Sequence, residues 1–171
     1  MGEPIGNFYG WKAVGLTDDR LWLVGGADGN PKLAREAGQE DKPVIGNGLP
    51  SMYAGLNTTL LYKKFDLGIS LRGAFGFEVL NEYRMHWETM KRISEGNLPK
   101  SVLKKPFGSQ SYVFDSHMYH SYYVEKGDYV KLDNVTLGYT LNLNNKYLRR
   151  VRLYVTGHNL LTITGYDGLD P

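Results

Sequence analysis

The sequence predicts an all-β protein built from long antiparallel strands, and three observations carry that prediction. In four segments, apolar residues recur at every second position, as expected for strands with one apolar and one polar face. Two of the joints between these segments are very short, whereas the remaining joint is about fifty residues long. The composition agrees, because 21 glycines and 13 tyrosines among 171 residues suit a β-rich chain with amphipathic rings at its boundaries.

The four strands are predicted near 52–62, 65–77, 129–143 and 150–162. The first two are joined by "KK" and read as a β-hairpin, and the last two are joined by the turn "NNKYLRR". The alternation is clearest in "FDLGISLRGAFGF", whose apolar row holds Phe65, Leu67, Ile69, Leu71 and Phe75. The opposite row holds small and polar residues, including Asp66, Ser70 and Arg72.

The remaining segments lack so regular a pattern. Residues 5–16 are predicted to form one short strand, and 17–50 a loop with one helical turn in "KLAREAGQED". Apolar residues at three- and four-residue steps predict a helix over 78–95, with Gly96 at its C-terminal cap. Residues 97–120 are again predicted to be a loop.

The overall composition excludes several classes of protein. Twenty basic and 18 acidic side chains give a net charge of +2, which predicts neither a nucleic-acid footprint nor an acidic tail. Cysteine is absent, so disulfides and thiolate metal sites are excluded. No basic segment followed by an apolar stretch opens the chain, so no signal peptide is predicted. We interpret the opening "GEPIGNFYGW" as the middle of a longer chain.

Two environments fit the alternation. In a transmembrane β-barrel, strands of about 9 to 11 residues cross the hydrocarbon, with tight turns at one rim and long loops at the other. Lipid would then contact the row led by Phe65, because the reverse arrangement would place Arg72 in hydrocarbon at about 2 to 4 kcal/mol. In a soluble carbohydrate-binding or adhesion β-sandwich, the same apolar row would be buried beneath a second layer. The alternation alone leaves both environments open.

No catalytic residue or metal site is predicted from the residues. His117 and His120 have H-x-x-H spacing, but they lie in a predicted loop without a helically spaced carboxylate. His86 is interpreted as a packing residue of the predicted helix. The glycine-rich stretches lack the strand–turn–helix context of a phosphate-binding loop, and the carboxylates show no paired arrangement.

Several motifs resemble a known family. "IGNGLPSMYAGLNTTLLYKKFDLGISLRGAFGFEVLN", "YYVEKGDYVKLDNVTLGYTL" and "RRVRLYVTGHNLLTITGYDGLDP" are similar, in this order, to the C-terminal part of SusC/RagA-type TonB-linked outer-membrane transporters. The resemblance implies a barrel of about 22 antiparallel strands around an N-terminal plug, of which residues 1–171 would be one arc without the plug and the final strand. It also implies an outer-membrane importer of oligosaccharides or peptides, not an enzyme, that works with a SusD-type surface lipoprotein and TonB.

The resemblance also bears on metals. Relatives often carry an Asp/Asn/Gly-rich stretch resembling a calcium loop before the "IGNGLP" motif. Here only Asp28, Gly29 and Asn30 match that stretch, so neither calcium nor any other cofactor is predicted.

Two sets of residues become site candidates within this framework. Segments 17–50 and 78–127 would be extracellular loops, and the aromatic candidates for contact with substrate or lipoprotein are Tyr9, Trp11, Trp22 and Trp87. The alternative for these rings is packing of the loops against the rim. The candidates facing the barrel lumen are Asn57, Arg72, Asn134, Arg152 and His158. The alternative for this set is pairing with the plug.

Overall fold

The structure is a computed structural model that describes residues 2, 4–109, 112–143 and 145–171. Its secondary structure is mostly antiparallel β-sheet with few helical residues, which confirms the predicted class. In chain order, the described strands and α-helix are β1 (Asn7–Tyr9), β2 (Ala13–Leu16), β3 (Trp22–Gly25), β4 (Pro31–Leu33), β5 (Val44–Asn47), β6 (Met52–Tyr62), β7 (Phe65–Phe75), β8 (Glu78–Leu80), α1 (Glu82–Trp87), β9 (Val124–Lys126), β10 (Tyr129–Asn142) and β11 (Arg150–Thr164).

The chain divides into two compact units. The strand unit contains Pro50–Gly76 and Gly127–Gly165, with Pro171. The loop unit contains the residues up to Leu49, Phe77–Lys126 and Tyr166–Asp170.

Four long strands form the single sheet of the strand unit, in the order β11-β10-β7-β6 with every pair antiparallel. Their bounds agree with the predicted ones to within two residues. The β6–β7 hairpin turns at Lys63 and Lys64, where Lys63 has a φ of 55°. A bulge at Asp133 interrupts the ladder on both sides of β10.

The register places apolar residues of all four strands on one face. Residues that pair across the sheet form rungs, and the four central apolar rungs are Tyr62, Phe65, Tyr139 and Leu153; Leu60, Leu67, Leu137 and Val155; Thr58, Ile69, Val135 and Gly157; and Leu56, Leu71, Leu132 and Leu161. Within the described residues of the strand unit, no second layer covers this face, and Leu137 is 47% exposed and Val155 is 67% exposed.

The loop unit is assembled from small sheets and short 3-10 turns around an aromatic core. Its sheets are β1-β5, β2-β3-β4 and β8-β9. Trp22, Val24 and Tyr123 are its most deeply buried apolar residues. In the described part of the chain, no helix has the length and apolar composition needed to cross a bilayer.

The helix predicted over 78–95 is wrong in extent. Residues 78–80 are extended and pair with β9. The helix α1 begins only after Asn81, whose side chain accepts a hydrogen bond from the Arg84 amide at 3.0 Å. The helix ends at Trp87, and Thr89 caps a separate 3-10 turn by accepting from the Lys91 amide. Gly96 therefore does not cap the helix.

Two further expectations for the loop unit need correction. The single strand predicted over 5–16 is two strands, β1 and β2, which pair with different partners. The loop predicted over 17–50 contains β3, β4 and β5, and its expected helical turn is replaced by two 3-10 turns, Ala34–Glu36 and Gln39–Asp41.

Candidate functional site: the polar face of the strand unit

The polar face of the four-stranded sheet carries all five residues predicted to face a lumen. Asn57 and Asn134 lie on one rung with Ser70 and His158. Arg72 and Arg152 lie on the same face, on either side of that rung. The structure therefore brings the set together on one surface, and its role there remains a prediction.

Short polar side chains on this face are linked by hydrogen bonds. Ser70 Oγ donates to Asn57 Oδ1 at 2.5 Å, and Asn134 Nδ2 lies 3.4 Å from His158 Nδ1. Thr136 Oγ1 donates to Asn134 Oδ1 at 3.0 Å and lies 2.9 Å from the Thr156 hydroxyl. These contacts fix the amides and hydroxyls while leaving further donors and acceptors free for a polar solute.

An ion pair crosses the sheet near the short turns. Arg152 on β11 reaches over β10 and binds the Asp66 carboxylate on β7, with Arg152 Nε 3.0 Å from Asp66 Oδ1. The residue beneath this contact is Gly138, and a Cβ there would overlap the Asp66 carboxylate and the Arg152 guanidinium. The glycine thus leaves room for this contact, and a larger side chain here would make the Asp66 and Arg152 side chains shift.

A second ion pair uses the β-bulge. Arg72 Nε lies 2.9 Å from the Asp133 carboxylate, which is the residue that the bulge leaves unpaired in the ladder. Both carboxylates within the strands of this face, Asp66 and Asp133, are therefore paired with arginine. Neither is arranged with a second carboxylate as general acid–base catalysis of glycoside hydrolysis requires.

Glycine also opens a recess in the polar face. A recess of about 260 Å³ lies around Gly68 and is lined by Asn57, Thr59, Ser70 and Asn134. A Cβ at residue 68 would make only ordinary contacts with Thr136, so the ladder does not require glycine at this position. The recess has the hydroxyl and amide chemistry to hydrogen-bond neutral polar groups.

The four aromatic candidates of the loop unit differ in their surroundings. Tyr9 is exposed, and Trp11 is half-buried with its Nε1 donating to the Gly38 carbonyl at 3.1 Å and the Lys42 ammonium 4.1 Å from its ring centre. Trp87 is half-buried beneath the Arg92 guanidinium. These three rings keep surface for a ligand.

Trp22 is a correction to the aromatic set. Its side chain is 1% exposed and packs against the rings of His120, Tyr122 and Tyr123. A ring so completely enclosed packs the core of the loop unit and offers no surface to a substrate, so we remove Trp22 from the contact candidates.

The two histidines with H-x-x-H spacing are separated by burial. His120 is fully buried with its ring centre 4.4 Å from that of Trp22, whereas His117 is exposed and stacks on His86 at 4.5 Å. Among the described residues, no group of three or more potential ligands is placed to hold a metal ion.

The Asp28 stretch holds a lysine between two carboxylates. Lys32 Nζ lies 3.0 Å from Asp41 and 3.9 Å from Asp28. Hydrogen bonds from the backbone N–H groups of Ala27 and Gly38, together with Lys32, lower the pKa of Asp41 to about 2. The Lys32 ammonium thus supplies the positive charge that the two carboxylates require.

Sequence reasoning missed a buried ionic cluster in the loop unit. Arg84 binds the carboxylates of both Glu88 and Glu125, and Asn81 Nδ2 donates to Glu125 at 3.2 Å. Burial alone would lower the pKa of Arg84, but the two carboxylates outweigh it and raise that pKa. The i,i+4 spacing of Arg84 and Glu88 was the one local signal for the cluster.

The burial of His120 predicts acid sensitivity of the loop unit. Burial lowers the pKa of His120 to about 3, and neither ring nitrogen has a partner among the described residues. Below about pH 6.5, His120 therefore binds a proton in the unfolded state but stays neutral in the folded state. The free energy of unfolding of the loop unit consequently falls as the pH drops from about 6.5 towards 3. We expect a loss on the order of 2 kcal/mol between pH 7 and pH 5.

This loss can be measured by amide hydrogen exchange of β2 and β3 as a function of pH. His120→Leu should remove most of the pH dependence, whereas His158→Leu, a change of an exposed histidine on β11, should leave it intact. Equal pH dependence in wild type and His120→Leu would refute the assignment.

The comparisons with known proteins agree with these features. No family model matches the chain. The chain is 29% identical to TonB-dependent receptor P3 of Formosa agariphila over 198 residues, which cover 99% of this chain and 19% of that protein. It is 29% identical to TonB-dependent receptor P26 of the same organism over 100% of this chain and 19% of that protein. The chain thus spans about a fifth of the length of these curated relatives.

Solved structures share the fold. The RagAB peptide importer in its closed-closed state matches with a TM-score of 0.79 and 22% identity, over 96% of this chain and 20% of that chain. The open-open state matches with a TM-score of 0.77 and 19% identity, over 99% and 21%. The resemblance seen in the sequence motifs is thereby confirmed: this chain matches TonB-dependent receptors over its whole length and has the fold of a segment of the RagAB peptide importer.

Proposed function

We propose that the chain is a C-terminal arc of an outer-membrane, TonB-dependent nutrient importer. In this proposal the strand unit is part of the barrel wall, with its apolar face in lipid and its polar face towards a water-filled lumen. Segments 17–50 and 78–127 of the loop unit lie outside the cell. The similarity to TonB-dependent receptors over the whole chain supports the proposal.

The observation that carries the proposal is the uncovered apolar face of the four-stranded sheet. Leu60, Leu137 and Val155 lie on one rung and are all about half or more exposed. A soluble protein rarely leaves so large a contiguous apolar surface in water. Lipid removes this cost, and strands of 11 to 15 residues are long enough to cross the hydrocarbon, which takes roughly 9 to 11 residues.

The polar face suits a lumen that conducts hydrated solutes. Its ion pairs, Asp66 with Arg152 and Arg72 with Asp133, neutralise charge within the wall. The hydroxyl and amide groups around Gly68 then offer neutral hydrogen bonding to a passing oligosaccharide or peptide. The proposed role is non-catalytic, and both carboxylates of the strands are engaged in ion pairs.

In the same proposal, the loop unit meets the substrate and a SusD-type surface lipoprotein. Its exposed aromatic surface, at Tyr9, Trp11 and Trp87, suits stacking on sugar rings or on peptide side chains. The RagAB structures are those of a peptide importer, which favours peptides as the first class to test. Energy would come from TonB through parts of the receptor beyond these residues.

The soluble β-sandwich is the competing function. It requires a second layer over the apolar face, and the described residues of the strand unit form a single sheet that supplies none. A partner sheet from another protein could still do so, which makes the environment of this face the deciding measurement.

Site-directed spin labels distinguish the two functions. The chain has no cysteine, so single cysteines at Ile69 and Leu137 can be labelled without background from these residues. In the membrane-reconstituted receptor that contains this chain, we expect both labels to be accessible to oxygen and shielded from a water-soluble nickel reagent. Matched labels at Thr59 and Thr136, on the opposite face, should give the reverse pattern.

A packed interior would give a different result. If labels at Ile69 and Leu137 were inaccessible to both oxygen and nickel, the face would be buried by protein and the sandwich would be favoured. A glycan-binding assay would not separate these cases, because both proteins could bind the same glycan.

A further inference from the structure

One end of the strand unit carries only positive charge in its joints. This short-turn end consists of the joints 63–64 and 143–149 with the first residue of β11, and its cations are Lys63, Lys64, Lys146, Arg149 and Arg150. The same residues include no Asp or Glu. At the opposite end, the flanking residues Pro50, Ser51, Gly76, Gly127, Asp128 and Gly165 include one carboxylate and no Lys or Arg.

An aromatic rung lies directly inside the short-turn end on the apolar face. Tyr62 pairs with Phe65, and Phe65 pairs with Tyr139 across β7 and β10. The Phe65 and Tyr139 ring centres are 4.7 Å apart, and Tyr62 is 69% exposed. Such a band is typical of the level at which hydrocarbon meets lipid headgroups.

The backbone of the tight turn brings a cation to this level. Lys63 adopts a left-handed conformation with a φ of 55°, and its ammonium lies 5.3 Å from the centre of the Tyr62 ring. Because Tyr62 belongs to the apolar face, this ammonium lies at the edge of the surface assigned to lipid. In the second joint, Lys146 Nζ lies 6.0 Å from the Tyr147 ring centre, and Tyr147 is also highly exposed.

The cations at this end are not neutralised by nearby carboxylates. The neighbouring acid is Asp66, and it is already bound by Arg152. Within the described residues, no ion pair joins any of the five cations to a carboxylate. Their positive potential is therefore available to an external anion.

We propose that the short-turn end binds the phosphate headgroups of anionic phospholipids. This inference rests on the proposed function, since it requires the apolar face to lie in the membrane. Basic residues at a membrane surface attract anionic lipid, and the aromatic rung positions these cations at headgroup depth. A free phosphate ion would be attracted by the cations, but it has no acyl chains to contact the aromatic rung. The arrangement therefore favours a lipid over a free phosphate ion.

Lipid selectivity of the purified receptor tests the proposal. The receptor containing this chain, in mild detergent, is mixed with equal amounts of phosphatidylglycerol and phosphatidylcholine, and retained lipids are counted by native mass spectrometry. We expect at least about tenfold preference for phosphatidylglycerol, falling several-fold between about 0.05 and 0.5 M salt because the shorter Debye length at high salt screens the cations from the headgroups.

The variants localise the effect. Replacing Lys63, Lys64, Lys146 and Arg149 with serine should reduce the preference to within about twofold. A control that removes the same charge from exposed lysines of the loop unit (Lys12, Lys100, Lys105 and Lys126 to serine) should retain it. If the first variant does not assemble, the two joints are changed separately, as Lys63→Ser with Lys64→Ser and as Lys146→Ser with Arg149→Ser, and each should lower the preference in part.

Three results would overturn the inference. These are equal retention of both lipids by the wild type, an unchanged preference in the short-turn variant, and full competition by soluble glycerol phosphate at matched concentration. Spin labels at Ile69 and Leu137 separate this failure from failure of the proposed function. Lipid-exposed labels without headgroup preference reject only the present inference, whereas labels buried by protein reject both.

Discussion

Replacing Arg84 with methionine is expected to destabilise the loop unit far more than replacing any exposed lysine or arginine. Arg84 is the shared partner of Glu88 and Glu125, and all three side chains are nearly enclosed. Methionine would leave two buried carboxylates without a counter-charge, which typically costs about 3 to 5 kcal/mol. We expect amide hydrogen exchange of Asn81 and Met85 to accelerate by roughly 10² to 10³-fold.

The reporter amides are suited to this measurement. The Asn81 amide donates to the Tyr123 carbonyl at 2.8 Å, and the Met85 amide donates to the Asn81 carbonyl at 2.9 Å. The Asn81 bond must break if α1 separates from the segment that carries Glu125, and the Met85 bond breaks when the first turn of α1 unwinds. Exchange therefore reports opening of the loop unit without requiring the whole receptor to unfold.

Two further variants make the Arg84 result specific. Arg92→Met removes a half-exposed cation that pairs with Glu95, and it should cost at most about 1 kcal/mol. Adding Glu88→Gln and Glu125→Gln to Arg84→Met should restore much of the protection, because the uncompensated charges are removed. Equal exchange in Arg84→Met and Arg92→Met would contradict the buried-cluster account.

The strand unit could be predicted from the sequence because one physical rule governs its whole length. Each strand separates an apolar from a polar face, so a period of two residues persists over 11 or more positions. The predicted end of β7 at residue 77 was two residues too long. Gly76 has a φ of 73° and turns the chain, and Phe77 packs in the loop unit instead.

The loop unit could not be predicted in the same way because distant segments build its core. The apolar residues from Val79 to Trp87 recur at three- and four-residue steps, which predicts one helix. In the structure the same residues belong to two elements, the short strand β8 and the short helix α1. Trp22 contacts His120, which is far away in the chain, and no local sequence pattern predicts this contact. Trp22 was consequently predicted to contact substrate although it is a core residue.

The polar face of the sheet could be predicted only in part. Alternation placed Asn57, Asn134 and His158 on one face, and the register agrees. It could not reveal that Asp66 binds Arg152 across Gly138, because that contact depends on the alignment of three strands. The bulge at Asp133 was also missed, although it shifts the alternation by one residue and places Leu132 and Val135 on the same face.

An arginine at position 69 is expected to have the largest effect in the strand unit. Ile69 lies on the third of the four central apolar rungs, beside Thr58 and Val135. In the proposed orientation this rung is near the middle of the hydrocarbon. Ile69→Arg should therefore destabilise the assembled barrel by about 2 to 4 kcal/mol, measured by urea unfolding in lipid vesicles.

The position of the charge, not its presence in the sheet, should decide the outcome. Thr59→Arg introduces the same side chain on the polar face, where Thr59 is exposed, and should change stability by less than about 1 kcal/mol. Tyr62→Arg lies on the apolar face but at its short-turn end, where the cost should fall to about 0 to 1 kcal/mol. A soluble sandwich would not produce this depth dependence, because its core has no water–lipid boundary at the level of Tyr62.

The order of the three arginine variants therefore tests the orientation of the whole sheet. If Thr59→Arg were the most damaging, the polar face would be the one in contact with lipid or protein. If Ile69→Arg and Tyr62→Arg were equally damaging, the face would be buried along its full length in a protein core. Only a large cost at Ile69, a small one at Tyr62 and almost none at Thr59 matches a wall whose apolar rungs span a bilayer, since hydrocarbon excludes charge most strongly at its centre.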